Sequence, residues 1–241
     1  MGSDRMVQLG SIEVESADVE APGEPLMSLL VRLGVAPEGA PSVADLPFEG
    51  WRPLVASPGV SPLIGAPTTN GEWVLAELRG AGSRPVFVPM PAVRRYPSRA
   101  ERRAGLSLRW PAAVRDVSIR HLFVDIVNKS DRRWIPALVD HFQVAGRLTR
   151  ADQPASNVGW YCGWVAGSER AFPLDPGEYA RVPVSVQGDD IVKLGSGEVL
   201  VHANVIALDL VSATPLRVAI SAHDIAEQER RNSRRPSPPP S

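Results

Sequence analysis

The chain has 241 residues, 44% of them apolar and 22% charged, with 26 basic side chains against 27 acidic ones and a net charge of −1. That is globular composition, enough for one large β domain or two small ones, and it excludes wholesale disorder and a fibrous fold. No window approaches the roughly 18 to 20 apolar residues that a membrane-spanning helix needs, because the longest apolar stretches contain Arg32, Asp125 or Asp209.

The opening Met1-Gly-Ser-Asp-Arg5 leads into a strand-like segment without the apolar core of a secretory signal, and the lone Cys162 permits no internal disulfide. A cytoplasmic protein is expected. Only Lys129 and Lys193 among the basic residues are lysines, a bias that suggests a GC-rich bacterial genome. Charge is unevenly spread: residues 1–50 carry nine acids and two arginines, a net −7, while residues 94–120 carry eight arginines and two acids, a net +6. Such opposed patches either meet within the molecule or attract a partner.

Twenty-four prolines and twenty glycines, spread along the whole chain, argue against long helices. In chain order, Val7–Glu15, Leu26–Val35, Trp73–Arg79 and Val86–Met90 read as strands, with Asn70-Gly71 a hairpin signal ahead of Trp73. Leu26, Leu29, Leu30 and Leu33 would suit a helical face equally well, but the bounding Pro25 and Pro37 favour a strand. Residues 94–111 read as an Arg/Pro-rich connector holding one helical turn over Ser98–Ala104.

Ile119–Val127 reads as a strand apolar on both faces, ending at the turn-formers Asn128-Lys-Ser-Asp131. Asn128-Lys-Ser130 matches a glycosylation acceptor, which at this position is read as a hairpin tip. Tyr179–Val186 is the clearest strand: Ala180, Val182, Val184 and Val186 alternate with Tyr179, Arg181, Pro183 and Ser185, and Pro183 points to a sheet edge or a bulge. Val199–Val211 reads as one central strand and Leu216–Ile220 as the last. From Glu227 to Ser241 the composition predicts a disordered tail, in which Pro236 and Pro239 follow Arg235 in the manner of a polyproline ligand.

The turn Leu174-Asp-Pro-Gly-Glu178 followed by an alternating strand resembles the strand entrance of bacterial immunoglobulin-like and fibronectin-type sandwiches over residues 117–222. The resemblance implies architecture and no activity. The expected fold is therefore all-β, an antiparallel sandwich of immunoglobulin-like or jelly-roll type with little helix. The expected division is an N-terminal β module over 1–93, either separate or merged into the C-terminal sheets, a connector over 94–116, a sandwich over 117–226 and a tail over 227–241.

Chemistry is sparse. Gly159-Trp-Tyr-Cys-Gly-Trp164 places Trp160, Cys162 and Trp164 on one strand face, which serves as sandwich core or as an aromatic platform for a carbohydrate or peptide, with Trp134 as a further contributor. Cys162 lacks the following helix start that would activate it, and a cysteine hydrolase would need one of His121, His141, His202 or His223 beside it. Those four histidines show no metal-ligand spacing, no phosphate loop or nucleophile elbow is present, and no cofactor is expected.

Arg94, Arg95, Arg99, Arg102 and Arg103 form the one patch suited to a partner. With Tyr96 as their only aromatic neighbour they do not resemble a nucleic-acid reader, and the acidic first fifty residues offer internal compensation. The expected role is a non-catalytic protein-interaction or scaffolding module, contacting another protein through Arg94–Arg103. The rival roles are a carbohydrate- or peptide-binding sandwich using Trp160 and Trp164, and a cysteine-dependent hydrolase.

Overall fold

A computed structural model describes residues 6–35, 46–55, 62–80, 85–114, 118–151 and 170–233. The chain divides into two units, Met1–Glu101 and Arg102–Ser241. Both are rich in antiparallel sheet, but among the described residues five α-helices accompany the strands, more helix than proline and glycine content led us to expect.

In the first unit β1 (Met6–Leu9) and β2 (Ile12–Glu15) form a hairpin that turns at Gly10, where φ is +58°. After α1 (Ser16–Glu20) and α2 (Leu26–Arg32) come β3 (Arg52–Leu54), β4 (Leu63–Pro67), β5 (Trp73–Gly80), β6 (Pro85–Pro89) and β7 (Arg95–Pro97). They make two sheets, of order β2-β1-β7 and β3-β4-β5-β6, both wholly antiparallel. The Asn70-Gly71 signal lies in the β4–β5 turn, with Gly71 at φ +81°.

Alternation along β4 and β5 buries both faces of the four-stranded sheet. Ile64, Ala66, Val74 and Ala76 pack with Leu26, Leu29 and Leu30 of α2 and with Trp51, whereas Leu63, Trp73 and Leu75 pack with Val7, Leu9 and Val14 of the hairpin. The sheet thus lies between a helix and a second sheet.

This packing corrects the strand expected over Leu26–Val35. The leucines at i, i+3 and i+4 present one helical face, and the sheet offers that face an apolar surface. Pro25 occupies the cap position, where its missing N–H costs nothing, and Pro37 lies beyond the helix. The stop is a Schellman motif: Val35 N–H donates to Leu30 O and Gly34 N–H to Val31 O, with Gly34 at φ +70°. Arg52 ties the neighbouring helix end down, donating to the carbonyls of Val19 and Ala21 at 2.7 and 2.5 Å. Burial lowers the pKa of its guanidinium.

The second unit follows α3 (Arg99–Arg102) with β8 (Leu106–Arg109), β9 (Phe123–Asn128), β10 (Val144–Arg150), β11 (Tyr179–Val186), α4 (Gly188–Leu194), β12 (Gly197–Val205), β13 (Leu210–Val211), β14 (Leu216–Ile220) and α5 (Ala222–Ser233). Residues 94–111 are therefore not a bare connector, since β7, α3 and β8 all fall within them. One sheet runs β13-β12-β10-β11-β9-β8, and β14 also pairs with β12. Its end strands β13 and β8 lie side by side, so the sheet is nearly closed and barrel-like. Val124, Ile126, Val144, Val184, Val201 and Val205 fill its interior.

Three strand expectations are corrected. Pro183 sits within an internal strand: β11 pairs antiparallel with β9 up to Pro183 and then parallel with β10 from Val184, so the residue without an N–H marks the change of partner. Val199–Val211 is two strands, because a 3₁₀ turn over Ile206–Leu208 and left-handed Asp209, φ +48°, fold β13 back onto β12. Ile119–His121 is likewise 3₁₀, and β9 begins only at Phe123.

The tail expected from Glu227 is helical as far as Ser233. Ser221 and Asp224 form a capping box that starts α5, Ser221 N–H donating to Asp224 Oδ2 at 2.9 Å and Asp224 N–H to Ser221 Oγ at 3.2 Å. Arg120, its side chain nearly buried, holds α5 by donating to Asp224 O at 2.6 Å and Gln228 Oε1 at 2.9 Å. No described helix is long and apolar enough to cross a membrane.

Candidate functional site

The arginine run is distributed among separate acids. In the first unit Arg94 lies 3.6 Å from Glu72 and Arg95 3.4 Å from Glu20. Arg99 accepts help from Glu13 twice, its backbone N–H donating at 2.9 Å and its guanidinium lying 3.9 Å away. In the second unit Arg102 is buried against the buried Asp140, whose other oxygen accepts from Ala137 N–H at 2.7 Å. Arg103 donates to Leu208 O at 3.2 Å and to the carbonyl and carboxylate of Asp209.

Trp160, Cys162 and Trp164 lie outside the described residues. Trp134 is core: it is buried, stacks on Phe142 with centroids 5.7 Å apart, and donates through Nε1 to Arg102 O at 2.6 Å. Among the described residues no group of three His, Cys, Asp or Glu side chains is placed to hold a metal. His202 faces Arg147 across β10 and β12, with Nε2 3.3 Å from Thr149 Oγ1; burial, then the Arg147 charge, lowers its pKa.

The charged constellation that the fold does assemble is a cross-strand row on the outward face of β8, β9 and β11. The register sets Arg109 opposite Asp125 and Asp125 opposite Arg181. Asp125 is only 1% exposed, and both of its oxygens are taken. Arg181 donates through Nε to Oδ1 at 2.8 Å and through Nη2 to Oδ2 at 3.3 Å, while Arg109 Nη2 donates to Oδ2 at 3.2 Å. About half of each arginine side chain remains in solvent.

Tyr179, one row along on β11 and paired with Val127, is exposed. Both guanidinium carbons lie over its ring, Arg109 at 5.8 Å from the centroid and Arg181 at 5.5 Å, and Arg181 also lies 4.9 Å over Phe123. The hydrogen bond to Asp125 raises the Arg181 pKa. One carboxylate between two guanidinia leaves the row with an uncompensated positive charge, and an aromatic face lies beside it.

None of these four residues stood out as a site in the sequence. The available signal was Asp125, an acid in the middle of an otherwise apolar strand, which demands a cationic partner once buried. Arg181 and Tyr179 share a face by the period-two pattern, but the register that brings Arg109 beside them is tertiary.

Comparison of the chain with protein-family models, with curated proteins and with solved structures finds no match.

Proposed function

We propose that the chain is a non-catalytic protein-interaction or scaffolding module that meets another protein through the outward face of β8, β9 and β11. The observation that supports this reading is the Arg109–Asp125–Arg181 row with Tyr179 beside it. Arginine and tyrosine are the residue types that most often dominate binding energy at protein interfaces. Here they stand on paired strands, their geometry held by a buried acid, so little conformational freedom remains to be lost on binding. The Arg94–Arg103 stretch is less suited to this role, because its charges are each engaged by a separate acid.

We also propose the immunoglobulin-like kinship of residues 117–222, supported by the Gly177 turn that feeds the eight-residue β11. A reducing bacterial cytoplasm fits the single cysteine and the arginine bias. The test of the role is quantitative mass spectrometry of proteins captured from the native host by the wild-type chain and by Tyr179→Ala. A protein held by the first and lost by the second, at equal melting temperature, supports the module; identical sets of captured proteins remove this face from consideration.

A further inference from the structure

We infer, resting on the interaction reading above, that the Arg109–Asp125–Arg181 row receives a side-chain carboxylate from an acidic segment of the partner protein.

The inference follows from what the row has left to give. Arg109 Nε and Nη1 and Arg181 Nη1 have no hydrogen-bond partner among the described residues, while the remaining nitrogens are held on Asp125. Both arginines are exposed to about half their extent, so these donors face solvent. Because Asp125 holds each guanidinium from its inner side, an incoming anion approaches from the outer side and meets donors already oriented. Charge-assisted hydrogen bonds to a carboxylate oxygen are the contacts such donors favour.

Charge selects the class of anion. The row carries +1, and the neighbouring outward positions Ser107, Val127, Phe123 and Pro183 are uncharged. A monoanion brings the row to neutrality, whereas a phosphate dianion would leave excess negative charge a few ångströms from the buried Asp125 carboxylate. The exposed part of the Tyr179 side chain adds apolar surface against which the methylenes of a glutamate pack. An acidic peptide thus matches the row in charge, donor geometry and shape.

The experiment uses the full chain and the probe acetyl-Glu-Glu-Glu-amide, followed by backbone amide NMR titration and calorimetry, with acetyl-Gln-Gln-Gln-amide and inorganic phosphate in parallel. The expected result is saturable shifts confined to β8, β9 and β11 that weaken at high salt, with no response to the glutamine peptide. Arg109→Gln should weaken binding roughly tenfold, the loss of one charge-assisted contact. Arg109→Lys should retain part of it. Arg217→Gln removes an exposed arginine of β14 that pairs with Glu198 of β12, and should change nothing.

Arg109 contributes only one of the three bonds on Asp125, so its loss leaves the Arg181 fork in place; an unchanged melting temperature checks this. The inference is overturned if shifts fall elsewhere, if Arg217→Gln weakens binding equally, or if phosphate binds more tightly than the peptide. Failure of the peptide alongside partner loss in Tyr179→Ala overturns the carboxylate assignment and leaves the interaction module standing. Failure of both overturns both.

Discussion

Ser118 Oγ donates a 2.6 Å hydrogen bond to Asp224 Oδ1, joining the turn that precedes β9 to the first turn of α5. Asp224 Oδ2 accepts from the backbone and hydroxyl of Ser221 at 2.9 and 2.5 Å. Burial alone would raise the pKa of this acid, but the hydrogen bonds from Ser118 and Ser221, helped by the Arg120 charge, outweigh it and the net shift is downward. A carboxylate whose folded pKa is depressed contributes stability that is complete above its unfolded value, about 3.9, and is lost as pH falls through the folded value. Asp224→Asn should therefore cost about 1–3 kcal/mol at neutral pH, and the gap to wild type should close as the pH is taken below about 4. Thermal melts of both proteins across that range check it; a gap independent of pH would mean that the ionised form is not what the fold selects.

The same helix provides a truncation test. Ending the chain after Ser233 removes a segment of Arg, Pro and Ser with little to bury, and should change stability by no more than about 0.5 kcal/mol. Ending it after Ser221 removes Asp224 and Gln228 and strips Ser118 and Arg120 of their acceptors. That truncation should cost at least about 2 kcal/mol, read as a lower urea midpoint.

Arg102 and Asp140 are a buried ion pair, so removing one member leaves a charge that the interior cannot solvate. Arg102→Met should cost about 3–5 kcal/mol. The double replacement Arg102→Met with Asp140→Leu should recover part of that loss, since no unpaired charge remains. A double variant worse than the sum of the singles would show that the pair is needed for more than mutual neutralisation.

Gly65 needs its hydrogen. A Cβ there would stand 2.8 Å from Leu54 Cδ1 and 2.9 Å from Leu75 Cδ2, on the sheet face that packs against the hairpin. Gly65→Ala should destabilise by about 1–3 kcal/mol through overpacking, whereas Gly71→Ala, where no atom lies within 4 Å, is strained only by its φ of +81°. Chemical denaturation of the two variants separates crowding from backbone strain.

Sequence alone determined the elements whose signals are local. Period-two alternation predicts a strand over Tyr179–Val186, and β11 has those bounds. Asn70-Gly71 and Asp175-Pro-Gly177 mark turns because few residues tolerate the backbone those turns require, and Gly71 and Gly177 have φ of +81° and +78°. The helical turn expected over Ser98–Ala104 is α3, since Ser98 and Glu101 cap each other within four residues. The same box at Ser221 and Asp224 was equally available, and reading it would have carried the helix past Glu227.

What the tertiary structure decided is everything that depends on a surface the segment cannot supply for itself. Leu26, Leu29 and Leu30 suit a strand or a helix equally well, and the apolar face of the four-stranded sheet resolves the segment as a helix. Pro183 reads as an edge until β11 is seen to exchange β9 for β10 at that residue. Arg109, Asp125 and Arg181 are separated by 16 and 56 residues, and only strand register makes them neighbours. Local chemistry writes turns, caps and periodicity into a few adjacent residues, whereas long-range pairing sets which side chains share a face, and a binding site is made of the latter.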